Sequence, residues 1–149
     1  MVMDKGLSVR EAEDMLSVSE PYIDLIKLGF GTACVTPNLE NKLAVYKNAG
    51  IACYFGGTLF EAFYIRGQFD DYLRLLEKYK MGYAEVSDGS IDMDHDEKCK
   101  YITALSSTSN LVRDGQALRF ENFSMVDLLV IPENEQVQIA EYIDKQTTK

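Results

Sequence analysis

One design occurs four times in the first ninety residues and leaves few folds open. Met1–Gly6, Tyr22–Thr32, Ile51–Glu61 and Tyr83–Ser90 each begin as a short apolar, strand-like run. Each then breaks into a turn that holds a glycine and, in or near it, a charged or hydroxyl side chain. Three of the four breaks hand over directly to a helix-like segment. The strand starts fall at about 1, 22, 51 and 83, a rhythm of strand, loop, helix and loop that suits successive βα units of a parallel sheet. In such sheets chemistry collects at the carboxyl ends of the strands, which is where the breaks lie.

The segments between the breaks read as helices. Ser8 with Glu11 makes a capping box ahead of Val9, Ala12, Met15, Leu16 and Ser19 at helical spacing, and Pro21 stops the run. Thr36-Pro37 reads as an N-cap with proline in the first turn, leading to Leu39, Leu43 and Tyr46, with Gly50 as the residue after the C-cap. Thr58 and Glu61 read as a second capping box beside Gly56-Gly57. Gly67 interrupts the helix that follows, and Phe69, Tyr72, Leu73 and Leu76 continue it. Asp94 with Glu97 caps a further helix carrying Tyr101, Ile102 and Leu105.

From Ser106 the character changes. Ser106–Asn110 is polar and linker-like, Met125–Ile131 is strand-like, and a last helix begins at Glu133. The organisation expected is a (βα)₄ unit over 1–105, a linker over 106–115 and a strand–helix tail over 116–149.

The 46% hydrophobic and 26% charged content of the 149 residues is that of a globular domain, and the net charge of −9 offers no basic face for nucleic acid. Cys34, Cys53 and Cys99 are odd in number and without a C-x-x-C, which fits a reducing cytoplasm. No signal peptide is evident and no apolar run reaches the ~18 residues of a membrane helix.

Several motifs fail on inspection. Gly29-Phe-Gly31 lacks the third glycine and the downstream acid of a dinucleotide fingerprint. The acids from Asp88 to Asp96 lack the glycine and glutamate of a calcium loop. His95 stands alone among acids, which removes a histidine-based triad.

What survives is Asp4 and Lys5; Lys27 with Gly29, Gly31 and Thr32; Gly56, Gly57 and Thr58 with Glu61; and Glu85, Ser87 and Asp88. Lys27 and Glu85 each interrupt an otherwise apolar strand, a costly placement unless the charge is paired or functional. A buried network of Asp4, Lys27 and Glu85 is one reading. The other is a binding site: glycines let backbone N–H groups approach an anion, lysines favour a phosphorylated or carboxylated small molecule, and nearby carboxylates suit Mg²⁺.

These residues carry a resemblance. Asp4-Lys5-Gly6, Ile26-Lys27-Leu28-Gly29-Phe30-Gly31-Thr32, Gly56-Gly57-Thr58-Leu59-Phe60-Glu61 and Glu85-Val86-Ser87-Asp88-Gly89 resemble the phosphosulfolactate synthase family in order and spacing, from Met1 to about Ala104. The resemblance implies the first four units of a (β/α)₈ barrel. It also implies Mg²⁺-dependent addition of sulfite to phosphoenolpyruvate, giving 2-phospho-3-sulfolactate on the path to coenzyme M. By the same resemblance, Lys27 and Lys5 are the catalytic or anion-holding cations. Gly29, Gly31, Thr32, Gly56, Gly57, Thr58 and Ser87 shape the anion pocket, and Glu85, Asp88 and Asp4 are candidates for the metal. The family's fifth strand carries a Glu-Val-Gly-Lys motif whose lysine is the implied general acid. Here Ser106–Asn110 stands at that position, so an incomplete lyase without that proton donor is expected.

The tail, Leu118–Phe123 with Leu128–Gln136 and Ile139–Asp144, is similar to the C-terminal end of a type I restriction specificity subunit. The chain therefore reads as two pieces joined near residue 105. The alternatives to a lyase are an anion-binding or oligomerising half-barrel and a fragment that interacts through this tail. A half-barrel has open strand edges, so either two chains pair or a tail strand covers one edge.

Overall fold

The computed structural model describes residues 1–106 and 127–130. Its sheet runs β1 (Val2–Asp4), β2 (Leu25–Leu28), β3 (Ala52–Phe55), β4 (Ala84–Ser87) and β5 (Asp127–Val130), and the order in space equals the order in the chain. β1 to β4 pair in parallel. β5 instead lies antiparallel on β4, with Glu85 opposite Leu129 and Ser87 opposite Asp127. A tail strand therefore covers the β4 edge, one of the two outcomes expected of open edges. The linker and the final helix expected of the tail lie outside the described residues.

The helices are α1 (Val9–Ser19), α2 (Leu39–Asn48), α3 (Gly57–Tyr64), α4 (Phe69–Lys78) and α5 (His95–Ser106). The Ser8 capping box forms with Glu11 in both directions. Gly50 and Gly67 take left-handed φ values of 72° and 64° just past α2 and α3, where a residue without Cβ costs least. Asp94 caps α5 by accepting from the N–H groups of Asp96 and Glu97. The Glu97 carboxylate turns to the Tyr64 hydroxyl at 2.7 Å.

Two caps differ from expectation. α2 begins after Asn38, itself left-handed at φ 54°, because the Thr36 hydroxyl is taken by the Thr32 carbonyl at 2.8 Å. α3 starts at Gly57 with Gly56 as its N-cap, so Thr58 and Glu61 lie too far into the helix to form a box.

Alternation along the strands separates two faces. Ile26, Leu28, Phe55, Ala84 and Val86 join Ala12, Leu16, Tyr46, Phe60, Tyr72 and Leu105 in the main core beneath the helices. The other face carries Leu25 and Tyr54, with Tyr83 against them. Lys27 lies in register with Met3 and Tyr54 on that face. Burying side chains such as Phe55 and Phe60, neither exposed at all, stabilises by about 1.5–3 kcal/mol each. No helix among the described residues is long and apolar enough to cross a membrane.

Candidate active site

The four breaks meet as one continuous rim at the strand ends, and each joint is a side chain filling the space where a glycine has no Cβ. A Cβ on Gly29 would lie 2.7 Å from the Met3 sulfur, and one on Gly56 would lie 2.8 Å from Lys27 Cε. One on Gly57 would lie 2.2 Å from Ser87 Cβ and 3.0 Å from Glu85 Oε1. The glycines at 29, 56 and 57 thus have a packing reason. Gly31, at φ 67° with nothing near its missing Cβ, has a conformational one.

On the sheet face away from the helices, Lys27 passes over Gly56 and crosses β3 to reach Glu85, with Nζ 2.6 Å from Oε1. The Lys27 side chain is 15% exposed and that of Glu85 3%. Beside them Ser87 donates to Glu61 Oε1 at 2.6 Å, and the Ser90 N–H reaches the same oxygen at 3.3 Å. Glu61 comes from α3, whose N-cap Gly56 supplies no side-chain acceptor, so the helix's positive end faces this cluster. Glu61 is buried, and its Oε2 has no hydrogen-bond partner among the described residues. Sequence reasoning placed Glu61 in a cap. Its true partner is 26 residues away, a distance that no local pattern encodes.

Asp88, at the end of the same break, pairs with Lys98 of α5 at 2.7 Å. Lys5 lies over the ring of Phe30, 5.6 Å from its centroid. Thr32 donates to the Gly29 carbonyl at 2.8 Å and closes the second break on itself. Thr58 is exposed on α3.

Asp4 is not part of this cluster. It stands in register with Leu28 and so faces the helices. Its Oδ1 accepts from the N–H groups of Gly6 and Leu7 at 2.8 and 2.7 Å. Its Oδ2 accepts from the Tyr46 hydroxyl at 2.9 Å and pairs with Lys42 Nζ at 2.8 Å. Lys42 also donates to the Leu7 carbonyl at 3.0 Å, and both charged side chains are 0% exposed. Burial alone would raise the Asp4 pKa, but the hydrogen bonds from Lys42, Leu7, Gly6 and Tyr46 outweigh it and hold the carboxyl below its ordinary range. Burial and then the Asp4 charge push the Tyr46 phenol up, and the same two causes take Cys53 up to about 12, which removes it as a nucleophile at neutral pH. Lys42 was missed in the sequence because an i, i+3, i+4 pattern counts only apolar side chains.

The rim therefore groups Lys27, Glu85, Ser87 and Glu61 around Gly56 and Gly57, with Lys5 and the Gly29–Thr32 turn at one end and Asp88 at the other. Among the described residues no three His, Cys, Asp or Glu side chains form a cluster that could hold a metal. A cation there would rest on one or two carboxylates and its own waters, the usual habit of Mg²⁺.

Comparison with known proteins follows the same four breaks. Phosphosulfolactate synthase of Methanocaldococcus jannaschii is 43% identical over 100 residues, covering 66% of this chain and 40% of that protein. The Bacillus subtilis enzyme of the same name is 32% identical over 106 residues, 71% of this chain and 42% of the relative. That of Methanothermobacter thermautotrophicus is 31% identical over 104 residues, 68% and 40%. The chain thus spans about two fifths of the length of these relatives. The model of one family aligns further, over residues 1–145, through the segment likened above to a restriction subunit. On that match the chain belongs to the (2R)-phospho-3-sulfolactate synthase (ComA) family.

Proposed function

We propose that the rim binds a small phosphorylated carboxylate, phosphoenolpyruvate in the family's reaction, and supplies the first half of a phosphosulfolactate synthase site within a (β/α)₈-type architecture. The observation that carries this reading is Lys27, drawn across the sheet over Gly56 to a buried carboxylate beside the positive end of α3. A lysine held near the ends of parallel strands, with a helix N-terminus next to it, is an anion site whose cation is already desolvated and oriented.

In the reaction proposed, the sulfite sulfur forms a bond to the methylene carbon of phosphoenolpyruvate. The displaced π electrons move toward the neighbouring carbon and its carboxylate, and a proton delivered to that carbon completes the addition. Lys27 would meet the carboxylate or phosphate charge, and Lys5 would meet the anion from the outer side of the rim. Ser87 and the Gly56–Thr58 turn would orient it. Mg²⁺, when bound, would supply further charge neutralisation at the carboxylate. Of the acids expected to hold it, Asp4 has four partners, and Asp88 and Glu85 are each paired with a lysine, so the Glu61 oxygen with no partner among the described residues fits the role better, with Glu85 beside it. Asp4 is assigned instead to shaping the first break.

The test is binding followed by turnover. Phosphoenolpyruvate titrated into the full chain, followed by amide shifts, should perturb Lys27, Gly57 and Ser87, and Lys27→Met should lose the effect. An unperturbed spectrum at millimolar ligand would sink the reading. A second reading, binding without turnover, is favoured by Ser106–Asn110 standing where the resemblance implies the proton-donating lysine. Phosphorus NMR of phosphoenolpyruvate, sulfite and Mg²⁺ with the chain separates the two, because only a complete site forms the sulfonated product. The tail's likeness to a restriction subunit would gain support from binding to a methyltransferase partner that deletion of 133–149 abolishes.

A further inference from the structure

We infer that Phe30 is a positioning residue for Lys5, holding its ammonium over the outer rim for a small dianion. The inference rests on the anion-binding reading above. Phe30 breaks two local rules at once. It is a bulky non-glycine residue in the left-handed region, at φ 54° and ψ 26°, and its side chain is 63% exposed. Left-handed backbone is unfavourable for an L-residue with a Cβ, and strain of this kind persists where the surroundings impose it or function retains it. Little burial offsets it here. What the ring does contact is the head of Lys5.

Both partners sit on hydrogen-bonded turns. The Lys5 turn is fixed by the Asp4 carboxylate through the N–H groups of Gly6 and Leu7. The Phe30 turn is fixed by the Thr32 hydroxyl on the Gly29 carbonyl, and Gly29 packs on Met3 of the neighbouring strand. The missing Cβ position of Gly6 lies 3.6 Å from Thr32, so the two turns abut. A lysine on a free surface loses rotamer freedom when it engages an anion. One resting on an aromatic face has lost part of that freedom already, and so it binds more tightly. The left-handed backbone of Phe30 turns the ring toward the first break.

Phosphoenolpyruvate affinity and thermal stability should be measured together on the full chain, for the wild type, Phe30→Gly, Phe30→Trp, Lys5→Met and the Phe30→Gly/Lys5→Met pair. Lys80→Gly is the control, since Lys80 is also left-handed, at φ 52°, but lies in the turn between α4 and β4 at the opposite end of the strands. Phe30→Gly should weaken binding about 2- to 5-fold, the size of an exposed cation–aromatic contact, without lowering Tm. Phe30→Trp should retain affinity. The double variant should bind no more weakly than Lys5→Met alone, and Lys80→Gly should leave affinity unchanged. Equal affinity for wild type and Phe30→Gly overturns the inference while the anion site stands. Additive losses in the double variant overturn it equally. A wild type that binds no phosphoenolpyruvate removes the site and the inference together.

Discussion

Two lysine–carboxylate pairs lie on opposite faces of one sheet, in different surroundings. Asp4–Lys42 joins a strand to a helix, and each Asp4 oxygen has two partners. Lys27–Glu85 joins strand to strand across β3, next to a Glu61 oxygen with no partner among the described residues. On the proposed reading, burial of charge does not separate scaffold from chemistry. The balance of donors against acceptors does, because a satisfied pair has nothing left to offer a ligand.

The strongest way to sharpen that contrast is Lys42→Met. It leaves the buried Asp4 charge with hydrogen bonds but without its cation, so the chain should lose about 3–5 kcal/mol in urea denaturation. Asp4→Asn added to it should recover part of the loss. Recovery of none would show that the lysine stem's packing, rather than its charge, is what matters. Gly57→Ala comes next. Its Cβ must displace Ser87, so about 1–3 kcal/mol should go along with the amide shifts caused by phosphoenolpyruvate. Gly31→Ala, strained but in open space, should cost about 1–2 kcal/mol.

Acid titration bears on the helix-side pair. The hydrogen bonds to the Asp4 carboxyl hold it below the ordinary carboxylate range, so its contribution is present above that range and is lost as pH falls through the lower folded value. Urea midpoints followed from pH 6 to pH 2.5 should therefore fall steeply only below about pH 4, and less steeply in Asp4→Asn. The smallest effect belongs to Arg74→Ala. It removes an exposed ion pair with Asp71, so Tm should not move measurably. A clear drop there would undo the distinction between buried and exposed pairs.

Much of this was legible in the residues. The four breaks end strands at Asp4, Leu28, Phe55 and Ser87, and glycine, capping and proline signals bounded α1 and separated α3 from α4. Lys27 and Glu85 stood out because a charge in a parallel strand needs a reason. Asp4 was grouped with them, although it faces the other way. Its side follows from alternation plus cross-strand register, and register is a property of paired strands. Glu61 and Lys42 were hidden for a related reason, since their partners are 26 and 38 residues distant. The β5 direction was equally unreadable, because a strand's residues do not state whether its neighbour runs with it or against it.

The match between sheet order and chain order also bears on synthesis. Each of β2, β3 and β4 docks on a strand already made, so the parallel units can assemble as they leave the ribosome. The joints do not close at the same moment. Gly29 is filled by the earlier Met3 and Gly56 by the earlier Lys27, whereas Gly57 waits for Ser87. The strand that brings Ser87 also brings Glu85, so Lys27 stays an uncompensated cation until β4 arrives. A nascent chain stalled before residue 84 would present that ammonium to solvent and to any passing anion.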